Sequence, residues 1–532
     1  MKTRFFIYLI FIFASIIPNS LYADDITGSI DNGRISWHLY KSDSSLYVNG
    51  NGQLWDIYYS AKVFVDGDSM QVGLFGGFRS ISSMVRKVVI GEGITSLGIN
   101  TFQDFCNLRE VYLPNSLKLI DYAAFSGCHF HFTKFHMPRN IKRLGVTSLG
   151  TNGPFGEFMV FDTLYWDVEE MENSISYMEL RSVKNVVIGE NSRVLPEGFC
   201  DYNDSLTSVE IPRNVLKMGS RDFSNCSNLS NVILNEGLEE LGYGVFDNCP
   251  TITQISLPST LQIMHSEFEN TSLVDITIPK NIKELCHLKC GTLRRVNYNA
   301  INATANGGLL ELLVDSLELY LGENVEKLNN NCFHGKIKNR IDIPNSVKYI
   351  GENVFNGQKI GSLPPVLDFV GRYAFSFADF GDSINLPKIG IIENMAFSHS
   401  PTLKKLIINE VDSIKDGAFM FCPLEYVEVT ITTPPYLGSI PFYNTPITEI
   451  IVPSCECIDA YEEKWTTAKD TYVNQVIFVN KIPCNQESVY DINLDQRDYK
   501  IRKIIRDGTI ILYIPDGREY NLLGEQIKKK HD

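Results

Sequence analysis

Twelve cysteines and nine histidines are the residues of this 532-residue chain best suited to hold a metal, form a bridge or attack a substrate. The densest group is Cys128, His129, His131 and His136. A thiolate with imidazoles suits a soft metal, and alternate residues on a strand face one way. Against that reading, Cys128 occupies a position that recurs along the chain, and His136 aligns with Tyr112 and Glu210 at an outward strand position. A second group, Cys286, His287 and Cys290, lacks a fourth ligand at workable spacing. No metal or cofactor is expected.

Catalytic motifs are equally sparse. The chain has no G-x-S-x-G elbow, H-E-x-x-H pair, G-x-x-x-x-G-K-[ST] loop or G-x-G-x-x-G turn, and Gly335-Lys336 lacks the hydroxyl that would hold magnesium. Carboxylates are plentiful, but nothing selects a pair at glycosidase spacing. An enzyme is not expected. Cys106, Cys128, Cys200, Cys226 and Cys249 each follow a phenylalanine closely, which predicts a ladder of small buried thiols rather than bridges. Cys455, Cys457 and Cys484 lie outside that pattern, and a disulfide is expected among them, with the pairing open.

The elements that position these residues are repeats. Leu206, Val209, Ile211, Pro212, Val215, Met218, Phe223 and Cys226 are followed by Leu229, Val232, Leu234, Leu238, Leu241, Phe246 and Cys249, and then by Ile252, Ile255, Leu257, Pro258, Leu261, Met264 and Phe268. Phe199, Phe223, Phe246 and Phe268 are 24, 23 and 22 residues apart, inside the leucine-rich repeat range. Within a unit, Val209 and Ile211 alternate with Ser208 and Glu210, the period of a half-buried strand. Pro212 has no N–H for the ladder, so the strand stops there. Val215, Met218 and Phe223 supply a second apolar set facing the first. One such unit cannot cover its own apolar face, so stability accumulates by stacking.

The unit Leu108-x-x-Val111-x-Leu113-Pro114-x-x-Leu117-x-x-Ile120-x-x-x-x-Phe125-x-x-Cys128 closely resembles the BspA-type leucine-rich repeat of bacterial surface proteins. The likeness runs over about residues 34–470, from Ser36-Trp37-His38-Leu39 to Val452-Pro453 and Tyr461. It implies a mainly β, leucine-rich repeat solenoid of short parallel strands with an irregular or 3-10 convex side. It also implies an exported protein whose relatives are associated with adhesion to host matrix proteins, other bacteria or glycans, with no catalytic motif to carry over.

Residues 1–23 read as a signal peptide, with basic Lys2 and Arg4, an apolar run and Tyr22-Ala23 before Asp24. No cysteine follows that run, so a lipoprotein anchor is not expected, and no membrane span is expected in the mature chain. The expected organisation is a β capping module at 24–84 and a solenoid at 85–453 interrupted at about 150–182 and 298–316. A cap at 454–480 and a locally basic β module at 481–532, read as a solvated hairpin or a sorting or envelope-contact tail, complete it. The net charge of −15 argues against a nucleic-acid partner.

The outward strand residues should form a column, with Tyr112, His136, Glu210, Asn297, Tyr320 and Asp342 as candidate ligand-binding residues. Aromatic side chains concentrate interface energy, so Tyr112, His136 and Tyr320 are the expected anchors. The function expected is non-catalytic binding of an extracellular protein or glycan, by a secreted or cell-surface protein. A scaffolding role in the envelope without a dedicated ligand is the alternative, and glycan processing the third.

Overall fold

A computed structural model describes residues 25–30, 34–54, 61–65, 68–72, 79–121, 123–128, 131–145, 160–169, 171, 180, 182–305, 317–333, 337–468, 474–481, 488–493, 500–506, 509–513 and 519–520. The signal peptide read at 1–23, residues 306–316 of the second interruption, His129 and Cys484 lie outside these residues. The chain divides into two compact units, Met1–Gly322 and Glu323–Asp532. Each is a stack of parallel rungs.

In the first unit the strand Ser208–Ile211 buries Val209 and Ile211 and exposes Ser208 and Glu210. It pairs in parallel with Asn231–Leu234, Glu210 opposite Ile233. After the strand, the Val215 N–H donates to the Pro212 carbonyl at 3.1 Å, and the same turn recurs at Pro114, Pro138, Pro258 and Pro279. Proline ends the strand and starts the bend with one residue. A short second strand follows, Lys217–Met218 in parallel with Glu240–Leu241. A left-handed turn then delivers the phenylalanine, and the cysteine follows it.

The phenylalanines form a spine. In the first unit Phe223 stacks on Phe246 at 6.0 Å and Phe246 on Phe268 at 6.2 Å. In the second, Phe355, Phe375, Phe397 and Phe419 stack at 5.5, 5.1 and 5.3 Å, and Phe442 continues the row at 5.9 Å. All of these rings are buried.

At the start of the first unit, Ile26–Ile30, Ile35–Tyr40 and Ser45–Gly50 run antiparallel, and Ser45–Gly50 then pairs in parallel with Lys87–Ile90. Near the end of the second, the helix Ile458–Lys464 lies between the parallel partners Glu449–Val452 and Ile477–Asn480. Tyr461 donates to the Ile431 carbonyl at 2.7 Å and Trp465 Nε1 to the Pro435 carbonyl at 2.9 Å, which covers the last rung. Ser488–Asn493, Lys500–Arg506, Thr509–Tyr513 and Glu519–Tyr520 form an antiparallel sheet.

Within the interruption read at about 150–182, one strand is expected at Leu164-Tyr165-Trp166; the strand is Val160–Trp166, in register on both sides, with His136 opposite Tyr165 and Tyr165 opposite Val187. Two expectations need correction. Phe199 does not occupy the phenylalanine slot. Cys200 does, its N–H donating to the Asp222 carbonyl as Phe223 donates to Val245, so Phe199 meets Phe223 at 86° while Phe223 and Phe246 lie at 14°. Cys106 is exposed, because Phe105 fills the buried place it was assigned.

Candidate functional site

The thiols have a structural task. Cys128, Cys249 and Cys422 donate to the carbonyls of Phe102, Phe223 and Phe397 in the preceding rung at 3.2, 3.0 and 3.2 Å, and Cys226 to that of Cys200 at 3.2 Å. Thr271, Ser400 and Thr445 stand at the same place behind Phe268, Phe397 and Phe442 and also satisfy carbonyls there. A small group with one donor fits this slot. Burial pushes the Cys128, Cys332 and Cys422 thiols up to about 12, so none of the three offers a thiolate at neutral pH. Cys128 is buried while His136 is exposed and stacks on Tyr165 at 4.2 Å, so these two members of the metal grouping weighed from the sequence do not share a site. Cys455 is disulfide-bonded and Cys457 is a free buried thiol.

The candidate binding residues sit on the longer-strand faces but not in one hydrogen-bonded ladder. In the first unit Tyr112 lies opposite Val89 and, one strand on, Tyr47. His136 lies in a separate sheet with Tyr165 and Val187, and Glu210 in another with Ile233. Only Asn297 and Tyr320 are direct register partners, with Thr277 on the other side of Asn297. Asp342 is in the second unit, opposite Ser362, whose hydroxyl donates to it at 3.0 Å. Glu210 accepts from Asn235 at 2.9 Å, and Asn297 donates to Thr277 at 3.2 Å.

Two tyrosines share a local design. Tyr112 and Tyr320 are 54% and 47% exposed, and their hydroxyls donate to Glu110 and Glu318 two residues earlier at 3.2 and 3.3 Å. A cation from the preceding rung stands near each ring, Lys87 at 5.2 Å and Arg295 at 5.9 Å. In the second unit Tyr426 has the reverse order, with Glu428 two residues later at 2.7 Å and its register partner Lys405 at 4.6 Å from the ring. Residues two apart on a strand share a face, so the glutamate aims the hydroxyl and the cation fixes the ring. Sequence reading missed Tyr426, Tyr165 and Tyr47. The signal for Tyr426 was a tyrosine and a glutamate two apart, with a basic residue one repeat earlier.

Short parallel rungs, a phenylalanine spine and faces built from outward strand residues define a leucine-rich repeat solenoid. The chain belongs to the BspA type leucine rich repeat region family, whose profile matches residues 77–156, 173–305 and 326–446 in 6 copies. Among solved structures it is similar to a leucine-rich repeat protein from Bacteroides ovatus, at 16% identity and a TM-score of 0.32 over 85% of this chain and 99% of that one. It is also similar to a leucine-rich repeat protein from Eubacterium ventriosum (16%, 0.28, 70% and 100%) and to a leucine rich cell surface protein from Faecalibacterium prausnitzii (17%, 0.25, 76% and 95%). No curated protein matches this chain. Among the described residues no helix is long and apolar enough to cross a membrane.

Proposed function

We propose that this chain is an exported, non-catalytic binding protein of the cell surface that engages an extracellular protein or glycan through its longer-strand faces. The observation that carries the reading is the exposure of Tyr112 and Tyr320, each held in one posture by a glutamate and a neighbouring cation. Large, rigid, half-exposed aromatics give contact area at little entropic cost, the property of interface anchors. Buried thiols held as hydrogen-bond donors support a non-catalytic role. The test is retention of purified protein on an array of extracellular matrix proteins and glycans, beside fractionation of the producing cell. A binder is retained by at least one array member. A chain that stays with the envelope and binds nothing on the array is a scaffold, and the proposal fails.

A further inference from the structure

The shorter strands of the first unit carry a groove of about 490 Å³ that belongs to none of the tyrosine columns. Its members come from successive rungs: Glu197, Lys217, Glu240, Tyr243 and His265, over a floor of Gly219 and Gly242. The glycines are needed where rungs approach, since a side chain on Gly242 would begin 2.7 Å from the Gly219 carbonyl carbon. They also leave the floor as bare backbone. Tyr243 is 59% exposed and stands upright against His265, ring centroids 4.5 Å apart at 61°.

One ion pair lies inside the groove, and Glu197 adds a second carboxylate. Lys217 Nζ is 2.8 Å from Glu240 Oε1, and His265 Nε2 is 3.9 Å from Glu284 Oε1. An anion placed here would face Glu197 and Glu240, and a cation would compete with Lys217. A neutral ligand that both donates and accepts hydrogen bonds meets neither penalty. Beneath the floor lies a further polar group. Asp222 is fully buried, and its Oδ2 accepts the Gly219 N–H at 2.8 Å. Its Oδ1 lies 3.0 Å from where a side chain on Gly219 would begin.

We propose that this groove binds a neutral saccharide, whose apolar ring face lies against Tyr243 and whose hydroxyls bridge Glu197, His265 and the Lys217–Glu240 pair. An upright aromatic beside paired donors and acceptors matches the two-faced chemistry of a sugar ring, apolar across its C–H face and polar at its rim. The inference does not depend on the tyrosine columns, which lie on the longer strands.

Saturation-transfer NMR on the full chain with a panel of neutral hexose and N-acetylhexosamine oligosaccharides tests it. At least one member should receive saturation, and Tyr243→Ala and His265→Ala should each weaken that binding about tenfold or more. A saccharide whose binding is lost in Tyr320→Ala and kept in Tyr243→Ala sits on the longer-strand face instead of this groove and overturns the proposal. Because Tyr243 is largely exposed, Tyr243→Ala should keep the parent melting curve. Binding by no member of the panel, or binding by Tyr243→Ala equal to the parent's, overturns the proposal.

Discussion

The two units place different side chains at one backbone slot, two residues beyond the phenylalanine position. In the first unit three successive rungs put Asn225, Asn248 and Asn270 there, each in the left-handed region with φ of 57°, 57° and 55°. Asn270 donates to Asn248 at 2.8 Å, Asn248 to Asn225 at 3.0 Å and Asn225 to Asp201 at 2.9 Å, giving a continuous amide ladder. In the second unit three successive rungs put Phe377, His399 and Phe421 there, with φ of 59°, 57° and 59°. These rings stack at 4.7 and 4.6 Å, and Phe377 and Phe421 are 54% and 39% exposed. Asparagine tolerates the left-handed region, whereas an aromatic residue there costs about 1–2 kcal/mol. The turn dictates the backbone, and the side chain is then free to specialise. Two exposed phenylalanines flanking a half-buried histidine, all held at an unfavourable φ, are poor choices for stability alone. Among the described residues of the first unit Tyr202 also takes this slot, and the next rung has Asn225 there.

Deep truncations should not distinguish the ladders, because the spine beneath them is the same. Phe246→Ala and Phe397→Ala should each cost about 3–5 kcal/mol in chemical denaturation. A small loss in only one of them would mean that the two units are not built on one principle. At the slot itself the units should part. Asn248→Ala removes one donated and one accepted hydrogen bond and leaves alanine at a left-handed position, a loss of about 1–3 kcal/mol. His399→Ala gives up only ring stacking, about 1 kcal/mol. Phe421→Asn exchanges stacking for relief of backbone strain and should stay within about 1 kcal/mol of the parent. A large loss for Phe421→Asn would show that the aromatic ladder is structural.

Acidification should move the two rungs in opposite directions. Burial holds the His399 imidazole below the usual histidine range, so the fold prefers it neutral. Stability present at neutral pH is therefore lost as pH falls to where the unfolded chain takes up that proton. Asp247, beside Asn248, is pushed up to about 6 by burial, against the hydrogen bond it accepts from the Glu269 N–H. The fold prefers Asp247 protonated, so stability is gained as pH falls through about 6 toward the ordinary carboxylate range. Melting curves of His399→Gln and Asp247→Asn against the parent, from about pH 7 to about pH 5, should show the first losing less on acidification and the second gaining less.

Much of the rung was legible along the chain because its signals are local. Alternation at Val209 and Ile211, the stop at Pro212 and the period of the phenylalanines each act within a few residues. Counting residues is not counting slots, however. The 24-residue step from Phe199 to Phe223 conceals a one-place shift that puts Cys200 on the spine, visible only in the hydrogen bonds between rungs. Val160–Trp166 was legible only at its end, Leu164-Tyr165-Trp166, because it carries the apolar set Phe161, Leu164 and Trp166 without a following proline. The candidate binding residues were legible as outward positions but not as separate sheets, because pairing breaks depend on neighbours in space. The groove was hidden for the same reason, although Glu197, Ser220 and Tyr243 recur every 23 residues.

The central claim is that the longer-strand faces, through tyrosines posed by glutamates and cations, make the contact with an outside partner. Its most direct test is the double variant Tyr112→Ala, Tyr320→Ala beside the parent, measured on the same array of matrix proteins and glycans, with melting curves recorded for both. The account predicts nearly equal melting, since both side chains are about half exposed, and about tenfold or greater loss of binding to the partner the parent retains. Undiminished binding by the double variant to that partner would contradict it.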